Sequence, residues 1–134
     1  DFIYKLIENP KQLEILGDGT QTKSYLLVDE CIDAFLFGLR HASQRVEIYN
    51  IGSEDQINVT EIANIVVEEV DLKDVKFSYT GGVEGGRGWI GDVKIMLLDI
   101  SKLKRLGWKP RHNSAESIRI ATRQILKELG IKRH

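Results

Sequence analysis

Two glycine-rich stretches carry the residues most able to do chemistry. Residues 81–93, GGVEGGRGWIGDV, hold six of the twelve glycines in this 134-residue chain, together with Arg87 and Asp92. Glycine lets backbone approach a ligand closely, and an arginine fork can grip two phosphate oxygens at once. Residues 17–25, GDGTQTKSY, set Lys23 two positions before Tyr25. That spacing offers a point charge for a phosphate and a ring that can stack or donate a hydrogen bond. On composition alone, the bland readings are a mobile surface loop for 81–93 and a plain turn for 17–25.

Gly86 to Gly91 also fit G-x-G-x-x-G, the pattern of dinucleotide-binding loops. Such a loop follows a strand, opens a helix whose N-terminus faces the pyrophosphate, and has an acidic residue about 20 positions on. Here Asp92-Val93-Lys94-Ile95-Met96-Leu97-Leu98 reads as extended, and Lys109-Pro110-Arg111 is basic. The match is coincidental. No Gly-Lys-Ser/Thr occurs, which excludes a Walker A loop.

Other chemistry is thin. His41, His112 and His134 are isolated from any cysteine at metal-ligand spacing, so no metal site is expected. Asp29 and Asp33 share a helix face, but carboxylates in a first turn ordinarily complement the helix dipole. Cys31 lies in an apolar helix and reads as core.

The elements that position these groups are short and mixed. Phe2, Ile3, Leu6 and Ile7 have helical spacing, stopped at Asn9-Pro10. Leu13 to Leu16 reads as a strand, and Tyr25 to Val28 as another apolar run. From Asp29, the spacing of Ile32, Phe35, Leu36 and Leu39 predicts a helix buried on a wide face. Val46 to Ile51 reads as a strand. Asn58 and Glu61 form a capping-box pair opening a helix with Ala63, Val66, Val67 and Val70 inward. Val75, Phe77 and Tyr79 alternate as a half-exposed strand. Ile95 to Leu98 is extended, and Ser101 to Leu106 is a short helix closed by Gly107. Asn113 and Glu116 repeat the cap, opening a helix with Ile118, Ala121, Thr122, Ile125 and Leu129 on one side and Arg119, Arg123 and Lys127 outward. The expectation is one small α/β domain, residues 1–134, with short strands and four or five helices.

The chain is 42% hydrophobic and 29% charged, an ordinary globular composition. No apolar run approaches the roughly 18 residues of a membrane span, so no membrane partner is expected. A lone cysteine excludes an internal disulfide and makes a cytoplasmic location the default. The start lacks methionine and enters an apolar helix at once, as a piece of a longer chain would. The net charge of −1 conceals a split, with 8 Lys/Arg against 17 Asp/Glu in residues 1–93 and 11 against 3 in residues 94–134. That asymmetry fits a nucleic-acid-binding arm, or two stretches folded against each other. The basic residues are threaded through an apolar helical pattern, which favours the second reading.

Three stretches, GDGTQTKSYLLVDECIDAFLFGLRH, IYNIGSEDQINVTEIA and GWIGDVKIMLLDISKLKRLGWKP, occur in that order. Together they resemble the C-terminal part of nucleotide-sugar epimerases and dehydratases, extended short-chain dehydrogenases of the UDP-glucose 4-epimerase type. The resemblance implies a small substrate domain that lacks the N-terminal Rossmann domain, where the family holds NAD and its Tyr-x-x-x-Lys. None of Tyr4, Tyr25, Tyr49 and Tyr79 is followed by lysine four residues later. It implies no catalytic residue and no cofactor in this chain, a UDP-sugar or other nucleoside-diphosphate sugar as ligand, the Rossmann half as partner, and a homodimeric intact enzyme.

Position by position, the resemblance puts Lys23, where the family usually has arginine, and Tyr25 at the phosphates. Leu13, Glu14 and Leu16 fall at the base pocket, with Glu14 contributing backbone, and Val59 packs on the base. Arg87 falls at the diphosphate and Asp92 at the ribose side, five positions apart where many members have three. Two other functions compete. A nucleic-acid-binding module would use residues 94–134, and a small hydrolase would use Asp29 and Asp33.

Overall fold

The computed structural model describes residues 1–131, so His134 lies outside the described residues. The elements run α1 (Phe2–Glu8), β1 (Gln12–Ile15), β2 (Thr22–Lys23), α2 (Val28–Arg40), β3 (Ile57–Asn58), α3 (Val59–Val70), β4 (Lys76–Tyr79), β5 (Ile95–Met96), α4 (Ser101–Leu106) and α5 (Ser114–Glu128). This is the expected α/β mixture, with five helices among the described residues. β1 pairs with β4 in parallel. β2 lies between β3, antiparallel to it, and β5, parallel to it.

Local chemistry fixes the element ends. Asn58 Oδ1 accepts from the Glu61 amide at 2.8 Å while Glu61 accepts from the Asn58 amide at 3.1 Å, the reciprocal cap expected for α3. Asn113 and Glu116 do the same for α5. Gly107, in the left-handed region at φ 105°, closes α4.

Two apolar clusters hold the chain together. The larger joins Ile3 and Leu6 of α1, Leu13 and Ile15 of β1, Ile62, Ala63 and Val66 of α3, and Leu126 of α5. The smaller joins Ala34 of α2 to Ile100, Leu103 and Trp108, with Phe37, Tyr49 and Ile51 against it.

Three expectations fail around α2. Its apolar stripe is not buried: Ile32 and Leu36 are exposed, and Phe35 and Leu39 are 66% and 67% exposed. Only the opposite side, through Ala34 and Gly38, is covered. Cys31 is exposed for the same reason, since nothing among the described residues packs on that face. Residues 46–51 alternate between exposed and half-buried like a strand, with Val46 and Ile48 turned outward, yet they form no ladder. A strand needs a partner for its backbone groups. Among the described residues none pairs with it.

The inward face of α5 is only partly the one expected, with Ile118 packed on the larger cluster as foreseen. Leu126 and Thr122 are buried, whereas Ile125 and Leu129 are exposed. Arg123 is exposed as expected and Arg119 half-buried, but neither guanidinium is free. They cross to α3, where fully buried Glu69 accepts from Arg119 Nη1 at 2.6 Å and from Arg123 Nε at 2.7 Å. The charge split has the same origin throughout. Arg111 reaches Glu30 and Asp33, Lys102 reaches Glu47, Lys104 reaches Glu54 and Lys94 reaches Asp18. Six of the eleven basic residues of 94–134 are thus paired with acidic residues of the same chain.

Candidate functional site

β1, β2 and the start of α3 converge on a cavity of about 140 Å³. Leu16 enters from the end of β1, Lys23 and Tyr25 from β2 and the residue pair beyond it, and Val59 from the first position of α3. Asp92 closes it from the glycine-rich segment. Five of the residues singled out from sequence therefore share one cavity.

The backbone register explains the convergence. The Val59 amide donates to Gln21 O at 3.0 Å and the Thr22 amide to Lys94 O at 2.7 Å, locking β2 between its neighbours. The Tyr25 amide donates to Ser114 Oγ at 3.0 Å, tying this edge to the start of α5. Burial pushes the Tyr25 phenol up, with Asp92 adding to the rise and Lys23 opposing it, so the ring keeps its proton at neutral pH.

Lys23 and Asp92 are the charged centre. Lys23 Nζ donates to Asp92 Oδ1 at 2.6 Å, and the Gly88 amide donates to Asp92 Oδ2 at 3.1 Å. Burial alone would raise the Asp92 carboxyl, but hydrogen bonds from Lys23 and from the Gly88 and Val93 amides outweigh it and hold the group below its ordinary value. Trp89 stands on the other side of the same ammonium, with Lys23 Nζ 5.5 Å from the ring centroid.

The glycines serve close packing between the two rich stretches. The Asp18 amide donates to Gly86 O at 3.0 Å. A side chain at Gly86, φ +88°, would collide with Asp18, and one at Gly82, φ +72°, with the Arg87 carbonyl and the Gly17 backbone. Asp18 is in turn held well below the usual carboxylate range by Lys94, with Thr20 assisting. The segment runs on through a turn into β5, so Gly86 to Gly91 open no helix of the kind a dinucleotide loop needs.

Three sequence-selected residues lie elsewhere. Leu13 is fully buried in the larger cluster, because alternation along β1 turns it and Ile15 inward. Glu14 faces out and receives Lys5 Nζ at 3.4 Å on its carboxylate and 3.1 Å on its carbonyl. Arg87 is half-buried on the glycine segment, where its Nη1 donates to Glu84 at 3.2 Å. Conversely, Gln21, Trp89 and Phe2 line the cavity without having been selected. Trp89 sits between two glycines in the stretch already under suspicion. Gln21 carries no signal in sequence.

A larger groove of about 440 Å³ lies between α2 and residues 42–51, lined by Phe35, Leu39 and Ile48. It belongs to the uncovered apolar side of α2. Among the described residues no group of His, Cys, Asp and Glu could hold a metal, and no helix is long and apolar enough to cross a membrane.

Residues 1–52 match the model of the NAD dependent epimerase/dehydratase family. The chain is 31% identical over 119 residues to GDP-mannose 3,5-epimerase of Arabidopsis thaliana, covering 89% of this chain and 29% of the relative. It is 36% identical over 100 residues to GDP-L-fucose synthase of Sinorhizobium fredii, covering 74% and 29%. In structure it overlays a UDP-galactose 4-epimerase with a TM-score of 0.79 and 34% identity, over 96% of this chain and 39% of that one. The chain belongs to the nucleotide-sugar epimerase/dehydratase family and corresponds to the C-terminal part of its members. It spans about a third of the length of these relatives.

Proposed function

We propose that the chain is the substrate-binding part of an NAD-dependent nucleotide-sugar epimerase of the UDP-glucose 4-epimerase type, gripping the nucleoside diphosphate of a UDP-sugar. The observation that carries this reading is the convergence of Leu16, Lys23, Tyr25, Val59 and Asp92 on one cavity. Lys23 supplies the cation for the diphosphate, Tyr25 a neutral hydroxyl donor, Leu16 and Val59 an apolar wall for the base, and Asp92 the anion on the ribose side. Arg87 supplies a second cation once its side chain leaves Glu84. Leu13 and Glu14 contribute the strand backbone beneath the base rather than side chains.

NAD, held by the Rossmann half in the intact enzyme, supplies hydride acceptance and return. This chain contributes binding energy from the remote, non-reacting nucleotide, which fixes the sugar for chemistry elsewhere. By itself it turns nothing over.

The surface of α2 supports the partner half of the proposal. Val28, Ile32, Phe35 and Leu39 recur at helical spacing on one uncovered face, beside the strand-like residues 46–51. Contiguous exposed apolar surface of this kind marks an interaction site. Its occupant is the Rossmann half, which accounts for the two thirds of the relatives' length that this chain does not match.

The test is a thermal shift with UDP, UDP-glucose and NAD in parallel, on the full-length enzyme and on the chain alone. A ligand at 100 times its dissociation constant adds about 2.7 kcal/mol. UDP and UDP-glucose are expected to stabilise the full-length enzyme. Stabilisation of the chain alone by NAD but not by UDP contradicts the assignment.

A further inference from the structure

The glycine-rich segment holds the Lys23 ammonium from two sides. Lys23 Nζ donates to Asp92 Oδ1 at 2.6 Å and lies 5.5 Å from the centroid of the Trp89 ring. That distance is inside the roughly 6 Å range over which a ring face attracts a cation. Backbone ties make the two holders one unit: the Asp92 amide donates to Trp89 O at 3.1 Å, and the Gly88 amide to Asp92 Oδ2 at 3.1 Å. Trp89 lines the cavity together with Lys23 and Asp92. Yet its side chain belongs to neither apolar cluster and is 56% exposed, so core packing does not account for its place.

A lysine that is to meet a phosphate needs such a holder. Its ammonium is a point charge on a flexible four-carbon stem, and ordering that stem costs rotamer entropy. A neighbour that fixes the ammonium beforehand lowers the cost at the moment of binding. Asp92 does this with a negative charge, which repels an incoming phosphate. The face of an indole attracts the cation through its quadrupole and brings no anionic oxygen. The ring therefore steadies Lys23 without competing for the ligand.

We propose that Trp89 is a positioning residue, its ring holding the Lys23 ammonium in place for the diphosphate. The proposal rests on the nucleotide-sugar reading of this cavity, and the ring acts through Lys23 rather than on the ligand.

The test is calorimetric titration of the full-length enzyme with UDP, carried to millimolar concentration and repeated with Trp89→Leu, Trp89→Phe, Lys23→Met and the Lys23→Met, Trp89→Leu pair. Trp89→Leu is expected to weaken UDP binding by about fivefold, and Trp89→Phe to recover most of that loss, because a phenyl face keeps part of the attraction. On top of Lys23→Met, Trp89→Leu is expected to change the affinity by less than about twofold, there being no ammonium left to hold. Undiminished affinity in Trp89→Leu, no recovery in Trp89→Phe, or the same loss with and without Lys23 overturns the role of Trp89 and leaves the diphosphate site standing. Failure of UDP to bind the unaltered enzyme overturns both.

Discussion

Lys23 and Asp92, 69 residues apart in sequence, meet at 2.6 Å beside the cavity, with the Asp92 side chain 2% exposed. Through this contact β2 and the glycine-rich segment are held as one site, because Asp92 also takes the Gly88 amide. Removing either partner leaves the other poorly compensated, and Asp92 more so because it is the buried one. A double-mutant cycle of Lys23→Met and Asp92→Asn, read by chemical denaturation, is expected to give a coupling of about 1–3 kcal/mol. Additive losses would show that the two groups merely lie near each other.

The same carboxylate sets an acid limit. Asp92 and Asp55 are both held below the ordinary carboxylate value. In each, burial acts upward and is outweighed by hydrogen bonds, from Lys23 and two amides for Asp92, from Ser53 and Ser114 for Asp55. A depressed native value means stability that is complete above the unfolded pKa of about 4 and lost as pH falls through the native values. The melting temperature is therefore expected to fall as pH drops below about 4, and Asp92→Asn is expected to flatten that fall. An unchanged acid slope in the variant would remove Asp92 from the account.

Glu69 ties α3 to α5 by accepting from Arg119 and Arg123 while fully buried. Glu69→Gln is expected to cost about 1–3 kcal/mol, moderated because both arginines reach water. Denaturant midpoints of the variant check this. The arginines' engagement also favours folding of the basic segment against its own chain over a free nucleic-acid arm. Raising salt is expected to alter stability, not to release bound nucleic acid.

The exposed stripe of α2 gives opposite outcomes in two contexts. In the isolated chain, Phe35→Glu with Leu39→Glu is expected to reduce binding of a hydrophobic dye and leave the fold intact. In the full-length enzyme the same pair is expected to destabilise by several kcal/mol, as charges placed in a covered interface do. Equal stability in the full-length enzyme would mean that nothing covers this face.

Much of the fold was legible because its signals are local. Both capping boxes, the stop at Asn9-Pro10 and the closure at Gly107 depend on residues a few positions apart. The helix of residues 28–40 was legible but its environment was not, since periodicity marks an apolar face without saying what covers it. Residues 46–51 kept the alternation of a strand and lost the ladder, for want of a partner. In the site, Lys23, Tyr25, Val59 and Asp92 were reachable through family motifs, and the structure brings them together. Gln21 was not reachable, because nothing in its type or spacing points to the cavity it lines. Leu13 and Glu14 stood on the right strand, but the pleat sends one inward and the other to solvent.

The most direct measurement is a structure of the full-length enzyme with a UDP-sugar bound. The account predicts the diphosphate within hydrogen-bond reach of Lys23 Nζ, and the base against Val59 and Leu16. A nucleotide seated away from β2 and the start of α3, with the Lys23–Asp92 cavity still filled only by its own side chains, would contradict it.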